Sequence, residues 1–366
     1  MEEEVETRLW SWDNGLTRTL ERWQGNLPEE EAAAAEAELQ AAREAAAANG
    51  EEFVEPARGF FGSLWDAFLW TFSNMLEAVH NVFYAIAHPH LWLDWSNNEA
   101  ITRFMLYGGS REFFFVVFDI VLILIVIAIF RRGVGWGVVR GLEAFANTVG
   151  RVCAWAGLIM VLQQIVIVFM QRIFTASEIS LGFGDAVTRD VSWWAEALKL
   201  DNAIIVALCL TYTFVQGGHV RVDLVYSAIS FRAKRMIDMI GSVIFMLPFA
   251  VLIWFFGWFY LWRVLIVPNP NAFLTYEQAM TKARALRWNV ETTGFSPNGF
   301  DAYFLFKILL VAMAGMIFLQ GVAFFFRSWM EWREGPSSED RYLDRDVMET
   351  GVNELAATEH NLEEAR

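Results

Sequence analysis

Phe113 to Phe130 reads FFFVVFDIVLILIVIAIF, and Arg131 and Arg132 follow at once. Sixteen of these eighteen residues are Phe, Val, Ile or Leu. Each contributes about −0.3 to −0.6 kcal/mol near a bilayer centre, whereas the one acid, Asp119, opposes insertion by at most about 3 kcal/mol. Insertion therefore wins. Eighteen residues rising about 1.5 Å each just cross a hydrocarbon core of about 30 Å. The chain is an integral membrane protein on this reading, and the rest of its 366 residues is organised around that span.

Four more apolar runs follow, at about 152–169, 202–216 (or from Trp193), 237–262 and 304–326. The fold class expected is all-α, an integral membrane helix bundle with amphipathic interfacial helices. Residues 133–151 carry Trp136, Val139, Leu142, Phe145 and Val149 at three- or four-residue steps, which predicts a short surface helix. Upstream, Leu64, Trp65, Phe68, Leu69, Phe72, Met75, Leu76, Val79, Val82, Phe83 and Ile86 recur at helical spacing, with Asp66, Ser73, Asn74, Glu77, His80 and Asn81 on the other face. This stretch is read as a helix lying in the interface or against other helices. To cross the bilayer, its polar groups would have to face protein rather than lipid. The resulting divisions are 1–59, an acidic Ala/Glu-rich tail; 60–112, the amphipathic region; 113–144, a span and surface helix; 145–330, a four-span core with a long loop at 263–303; and 331–366, an acidic tail.

Composition narrows the function. The chain is 55% hydrophobic and 19% charged with a formal net charge of −15, which argues against nucleic acid, since phosphate binding needs a basic face. Cys153 and Cys209 sit inside apolar runs and make neither a disulfide framework nor a metal cluster. The acidic start MEEEV lacks the basic, then apolar, pattern of a cleaved signal. Lys and Arg set the orientation. Arg131, Arg132, Arg140, Arg151, Arg221, Arg232, Lys234, Arg235, Arg327 and Arg333 fall on one side, read as cytoplasmic. Arg172, Arg189, Lys199, Arg263, Lys282, Arg284, Arg287 and Lys307 fall on the other.

Few residues advertise chemistry. His80, His88 and His90 lack the converging ligands a metal needs, so neither a metal nor another cofactor is expected. Asp119 and Glu196 are acids at or near membrane depth, open to a proton or ion relay or to a structural pairing. Gln163, Gln164 and Gln320 are amides in spans that read as glue between helices, and Gly157, Gly241, Gly315 and Gly321 allow helices to approach closely. Lys307 reads as a snorkelling anchor. Paired interrupted helices, the mark of a transporter core, are not found.

One stretch is distinctive: Tyr212 to Tyr226, YTFVQGGHVRVDLVY. Gly217, Gly218, His219, Val220, Arg221, Val222 and Asp223, followed by a basic Arg232–Arg235 stretch, resemble the small permease subunit of TRAP (tripartite ATP-independent periplasmic) transporters. Arg172-Ile-Phe174, Glu196, Leu247-Pro248 and Leu319-Gln320-Gly321 extend the likeness over about 145–330. The resemblance implies a four-span core in a bacterial inner membrane with both ends cytoplasmic, and a non-enzymatic scaffold that binds no substrate itself. It implies two protein partners besides the lipid bilayer: a large membrane subunit that moves the solute by an elevator motion, and a periplasmic substrate-binding protein that delivers an organic acid. The chain departs from the family's form in its first 144 residues and in its longer 267–300 loop, to which docking of the binding protein is assigned. Two rivals remain: an independent small channel or transporter using Asp119 and Glu196, and a membrane enzyme or assembly factor using His80, His88 or His219.

Overall fold

In a computed structural model, the described residues are 60–182, 187–216, 229–269, 276–288, 300 and 302–344. They are mostly helical: α1 Phe60–Ala87, α2 His90–Leu93, α3 Asn98–Gly108, α4 Arg111–Phe130, α5 Arg132–Cys153, α6 Trp155–Arg172, α7 Val191–Val215, α8 Phe231–Gly241, α9 Leu247–Leu265, α10 Tyr276–Ala283 and α11 Tyr303–Glu334. Two short antiparallel ladders decorate the connections. Glu178–Leu181 (β1) pairs with Val187–Asp190 (β2), Glu178 opposite Asp190, and Ile266–Val267 (β3) pairs with Arg287–Trp288 (β4). The protein is an all-α membrane helix bundle. Five helical stretches are long and apolar enough to cross a bilayer: Arg111–Phe130, Arg132–Arg172, Val191–Val215, Phe231–Leu265 and Tyr303–Glu334.

The chain divides into two compact units, one of Met1–Ile120 with Thr275–Arg284, the other of Val121–Leu274 with Ala285–Arg366. The boundary at Ile120 falls within α4.

In the first unit, Asn97 starts α3 by accepting a hydrogen bond from the Glu99 backbone N–H at 2.9 Å. Ala100, Ile101 and Met105 of α3 are buried, as are Ala279 and Ala283 of α10, the helix it packs against. The loop after α9 thus returns to cover the segment before α4. Trp92 donates its indole N–H to the Ala85 carbonyl at 2.9 Å and ties α2 to the end of α1. On α1 itself the polar residues Ser73, Asn74 and Asn81 are buried, while Leu64, Trp65, Phe68, Phe83 and Ile86 are exposed.

The second unit is built around α11. Of its apolar window 39% is buried, against 11–17% for the other four stretches. Phe326, Met330 and Val322 of α11 pack with Trp136 and Val139 of α5 and Ala128 of α4. Met316 packs with Ala146 of α5 and Val215 of α7. Ile167 of α6, Ile179 of β1 and Val191 of α7 form a separate cluster. Elsewhere the spans turn Leu, Ile, Val and Phe outward: α6 exposes Leu158, Ile159, Leu162, Ile165 and Phe169. Such a surface aggregates in water and is the ordinary lipid face in a bilayer.

Three local devices shape this bundle. Asp190 caps α7 by accepting from the Ser192 backbone N–H at 2.7 Å, and the same serine's hydrogen bonds hold the Asp190 carboxyl below its usual range. Between α8 and α9 lies one π-turn, Ser242–Met246, in which Leu247 N–H reaches back to Ser242 O. Pro248 follows at the start of α9. Because proline has no N–H to give the preceding turn, a widened turn is a common way to absorb the lost bond. Gly335 ends α11 with φ +89°, a backbone conformation that side chains resist.

The sequence reading placed the end of the last apolar run near Phe326 and opened a polar tail at Glu331. The helix instead continues to Glu334, and residues 335–344 fold back against the bundle, with Ser338 buried. The reason lies in the charges that α11 carries on its last turns.

Candidate functional site

Arg327 and Glu331 stand one turn apart on α11, both buried, Glu331 at 0% exposure. Isolated charges there would be prohibitive, so each must be paired and hydrogen-bonded. Arg327 meets Glu143 of α5 through two parallel bonds, Nε to Oε1 at 2.6 Å and Nη2 to Oε2 at 2.5 Å. This is the fork geometry that guanidinium and carboxylate share. Its third nitrogen, Nη1, donates to Glu331 Oε1 at 3.4 Å and to the Arg341 carbonyl at 3.1 Å. The other oxygen of Glu331 lies 2.6 Å from Arg235 Nε of α8. Arg235 goes on to Asp238 at 3.4 Å and to Glu339 at 3.0 Å.

Around this chain of alternating charge lies a second ring. Asn147 of α5, fully buried, donates to Asp344 O at 2.9 Å and to Asp344 Oδ2 at 3.0 Å. It accepts from Gln216 Nε2 at 3.4 Å, and Gln216 also donates to Asp344 O at 3.0 Å. Arg151 pairs with Asp344 at 3.2 Å. Trp136 donates its indole N–H to Glu334 at 3.1 Å, and Arg341 pairs with the same carboxylate at 3.1 Å. Arg333 donates to the carbonyls of Ala128 and Ile129, the last turn of α4, at 3.1–3.3 Å. A cation there also meets the negative end of the helix dipole.

The lattice draws α4, α5, α7, α8, α11 and the 335–344 segment to one end of the second unit. It gathers Arg151, Arg235, Arg327 and Arg333, four of the ten cations that the sequence reading put on one side. Two residues of the returning segment, Asp340 and Tyr342, hold φ of +55° and +60°. Such backbone costs on the order of 1 kcal/mol or more and persists where surroundings over-determine it. Here Tyr342 lies under two guanidinium groups, Arg140 at 5.1 Å and Arg341 at 5.0 Å.

A smaller polar group lies away from this lattice. Glu196, on the second turn of α7, pairs with Lys199 at 2.9 Å and accepts from Tyr303 Oη of α11 at 2.7 Å. Aromatic rings surround it: Trp193 meets Trp194 and Phe300, and Phe300 meets Tyr303, at centroid distances of 5.1–5.5 Å. Gln163 of α6 donates to the Trp194 carbonyl at 3.4 Å. A carboxylate held by a cation and a phenol is a clasp between helices, whereas a relay needs further titrating groups in line.

The residues singled out in the sequence fall as follows. Gly217, Gly218, His219, Val220, Arg221 and Asp223 lie outside the described residues. Arg172 is exposed at the end of α6. Glu196 is the clasp just described. Pro248 is exposed beside the π-turn. Gln320 is buried in α11 with no hydrogen-bond partner on Oε1. Of the described ones, the Leu247-Pro248 and Gln320-Gly321 stretches adjoin, Gly321 lying against the Leu247 side chain. Asp119 is buried with Oδ2 unpartnered. Gly321 and Gly315 meet side chains of Leu247 and Trp254 closely enough that a Cβ would sit 2.9 and 3.3 Å from them, whereas a Cβ at Gly241 would meet nothing within 4 Å. Among the described residues no group of three or more His, Cys, Asp or Glu converges as a metal site.

Sequence reasoning missed Glu143, Glu331 and Asn147. Glu143 and Asn147 stood between the apolar residues of α5 and were assigned to its wet face. Trp136 and Val139 of the expected stripe are buried, but Glu143 and Asn147 share that buried face with Gly135, Ala146 and Gly150, and Phe145 is 47% exposed. The available signal was the pair Arg327 and Glu331 at i and i+4 on an unbroken helical pattern. No family model matches this chain, and neither a curated protein nor a solved structure matches it.

Proposed function

We propose that this chain is the small membrane subunit of a TRAP-type transporter in a bacterial inner membrane. It acts as a non-enzymatic scaffold for a large elevator-type subunit that takes up an organic acid from a periplasmic binding protein. The observation that carries the reading is the buried Glu143–Arg327–Glu331–Arg235 lattice. It ties three helices and the returning C-terminal segment with charges that have no cheap alternative partner, and so suits a body that braces rather than one that opens. The ordered likeness from Arg172 to Gln320 supplies the family. The engagement of Glu196 by Lys199 and Tyr303 takes away one of the two acids that an independent channel would use.

The test is reconstitution. The purified chain alone in proteoliposomes moves none of a panel of radiolabelled organic acids. Co-reconstitution with the large membrane protein encoded beside it, plus the periplasmic binding protein, gives uptake that is lost when either is omitted. Uptake by the chain alone overturns the reading.

A further inference from the structure

We infer that α1 crosses the bilayer, with the hydrocarbon of the lipid as the partner of its exposed face. The argument stands apart from the transporter reading.

An interfacial helix keeps a wet polar face and a greasy buried one. α1 is built the other way round. Wherever its side chains are described, every exposed position is apolar: Leu64, Trp65, Ala67, Phe68, Trp70, Phe72, Leu76, Val79, Phe83, Ile86 and Ala87. Its polar positions are turned away from solvent. Ser73, Asn74 and Asn81 are 4–7% exposed, and Glu77 and His80 are half-buried. Ser73 and Asn74 donate to the Trp70 carbonyl of their own helix at 2.9 and 2.7 Å, and Thr71 to Ala67 O at 2.8 Å. This back-bonding satisfies hydroxyls and amides where no water is at hand.

Length fits as well. From Leu64 to Ile86 the greasy stripe runs about 33 Å at about 1.5 Å per residue, against a hydrocarbon core of about 30 Å. The neighbour fits too. Trp70 packs edge-on against Phe115 at 5.6 Å, in the first part of the span α4. Glu77 lies close enough to Glu112, in the first turn of α4, for their charges to interact. α1 therefore lies beside the first part of a span. Mean hydropathy misses this helix because it averages the two faces.

The test uses the full chain with Cys153→Ser and Cys209→Ser, reconstituted in phosphatidylcholine vesicles. Nitroxide labels are placed one at a time through Leu64→Cys, Phe68→Cys, Leu76→Cys, Phe83→Cys and Ile86→Cys. Collision with oxygen relative to a water-soluble nickel chelate is expected to pass through a maximum inside the helix and to fall to headgroup level at Ile86. Equal shallow depth at all five sites overturns the inference in favour of a surface helix. Low collision with both reagents overturns it in favour of a covering protein or second copy. As an independent measure, Ser11→Cys and Ser337→Cys are expected to react with an impermeant maleimide from the same side, since six crossings return the chain. Reaction from opposite sides overturns it.

Discussion

Two helices in this molecule turn their polar stripes inward, and they treat them differently. On α5, Glu143 and Asn147 bond across to α11, to Gln216 and to the Asp344 segment. On α1, Ser73 and Asn74 bond to their own backbone, and Asn81 faces the Glu112 carboxylate at the start of α4. The α5 stripe is thus specific: slide the helix one turn and a buried carboxylate faces an amide or nothing. The α1 stripe is satisfied mostly within its own helix. Buried polarity serves two ends here. In one it decides which helices meet, and in the other it keeps hydrogen-bonding groups away from lipid.

Breaking the α5 stripe should have the largest effect. Arg327→Met removes the partner of Glu143 and one partner of Glu331 and should destabilise the bundle by about 3–5 kcal/mol, the usual penalty for leaving a buried charge uncompensated. The double variant Arg327→Met, Glu143→Met should recover much of that loss, because Glu331 keeps Arg235. Thermal unfolding in detergent, read by size-exclusion profile, checks it. Equal losses in the single and double variants would show that these charges are not coupled.

The stripe also requires that α5 and α7 come close. A Cβ on Gly150 would lie 2.1 Å from Cβ of Tyr212, whereas one on Gly141 would meet nothing within 4 Å. Gly150→Ala should therefore cost about 1–3 kcal/mol through overpacking. Gly141→Ala should be neutral or gain up to about 1 kcal/mol in helix propensity. The same melting measurement separates them, and the contrast vanishes if the two helices are not in register.

A matched pair of amides sharpens the comparison itself. Asn147→Leu strands the Asp344 and Gln216 groups and should lose about 1–3 kcal/mol, the desolvation left when one buried partner is removed. Asn81→Leu removes an amide that faces only the Glu112 carboxylate, against the three bonds of Asn147, and should cost less. A loss at Asn81 as large as at Asn147 would mean that the α1 stripe also specifies a neighbour.

What could be read from the sequence follows from where each signal resides. The five spans were legible because insertion depends on composition within about twenty residues, which a single pass can sum. The lattice was not, because Glu143 and Arg327 stand 184 positions apart and nothing local distinguishes a buried glutamate from a wet one. Glu143, Phe145 and Asn147 of α5 depart from the expected pattern for a physical reason. In lipid, an apolar residue such as Phe145 has no cause to turn inward, so periodicity gives the stripe but not its direction. Of the candidate site, Glu196 and Gln320 proved to lie in bundle contacts, and the Gly217–Asp223 motif lies outside the described residues.

The smallest expected effect lies at the start of α7. Asp190 accepts from both the backbone N–H and the hydroxyl of Ser192, at 2.7 and 2.5 Å. Asp190→Ala should loosen the first turn, as cap removal does elsewhere, while Asp190→Asn should retain most of the cap. Hydrogen exchange at the amides of Ser192, Trp193 and Trp194 reads the change directly. Because these hydrogen bonds hold the Asp190 carboxyl below 3.8, its contribution is fully present above that pH and fades as pH falls through the lowered value. The Ala and wild-type exchange rates should therefore converge in acid. Rates that stay apart there would assign the first turn's order to the Trp193–Trp194–Phe300 rings rather than to the cap.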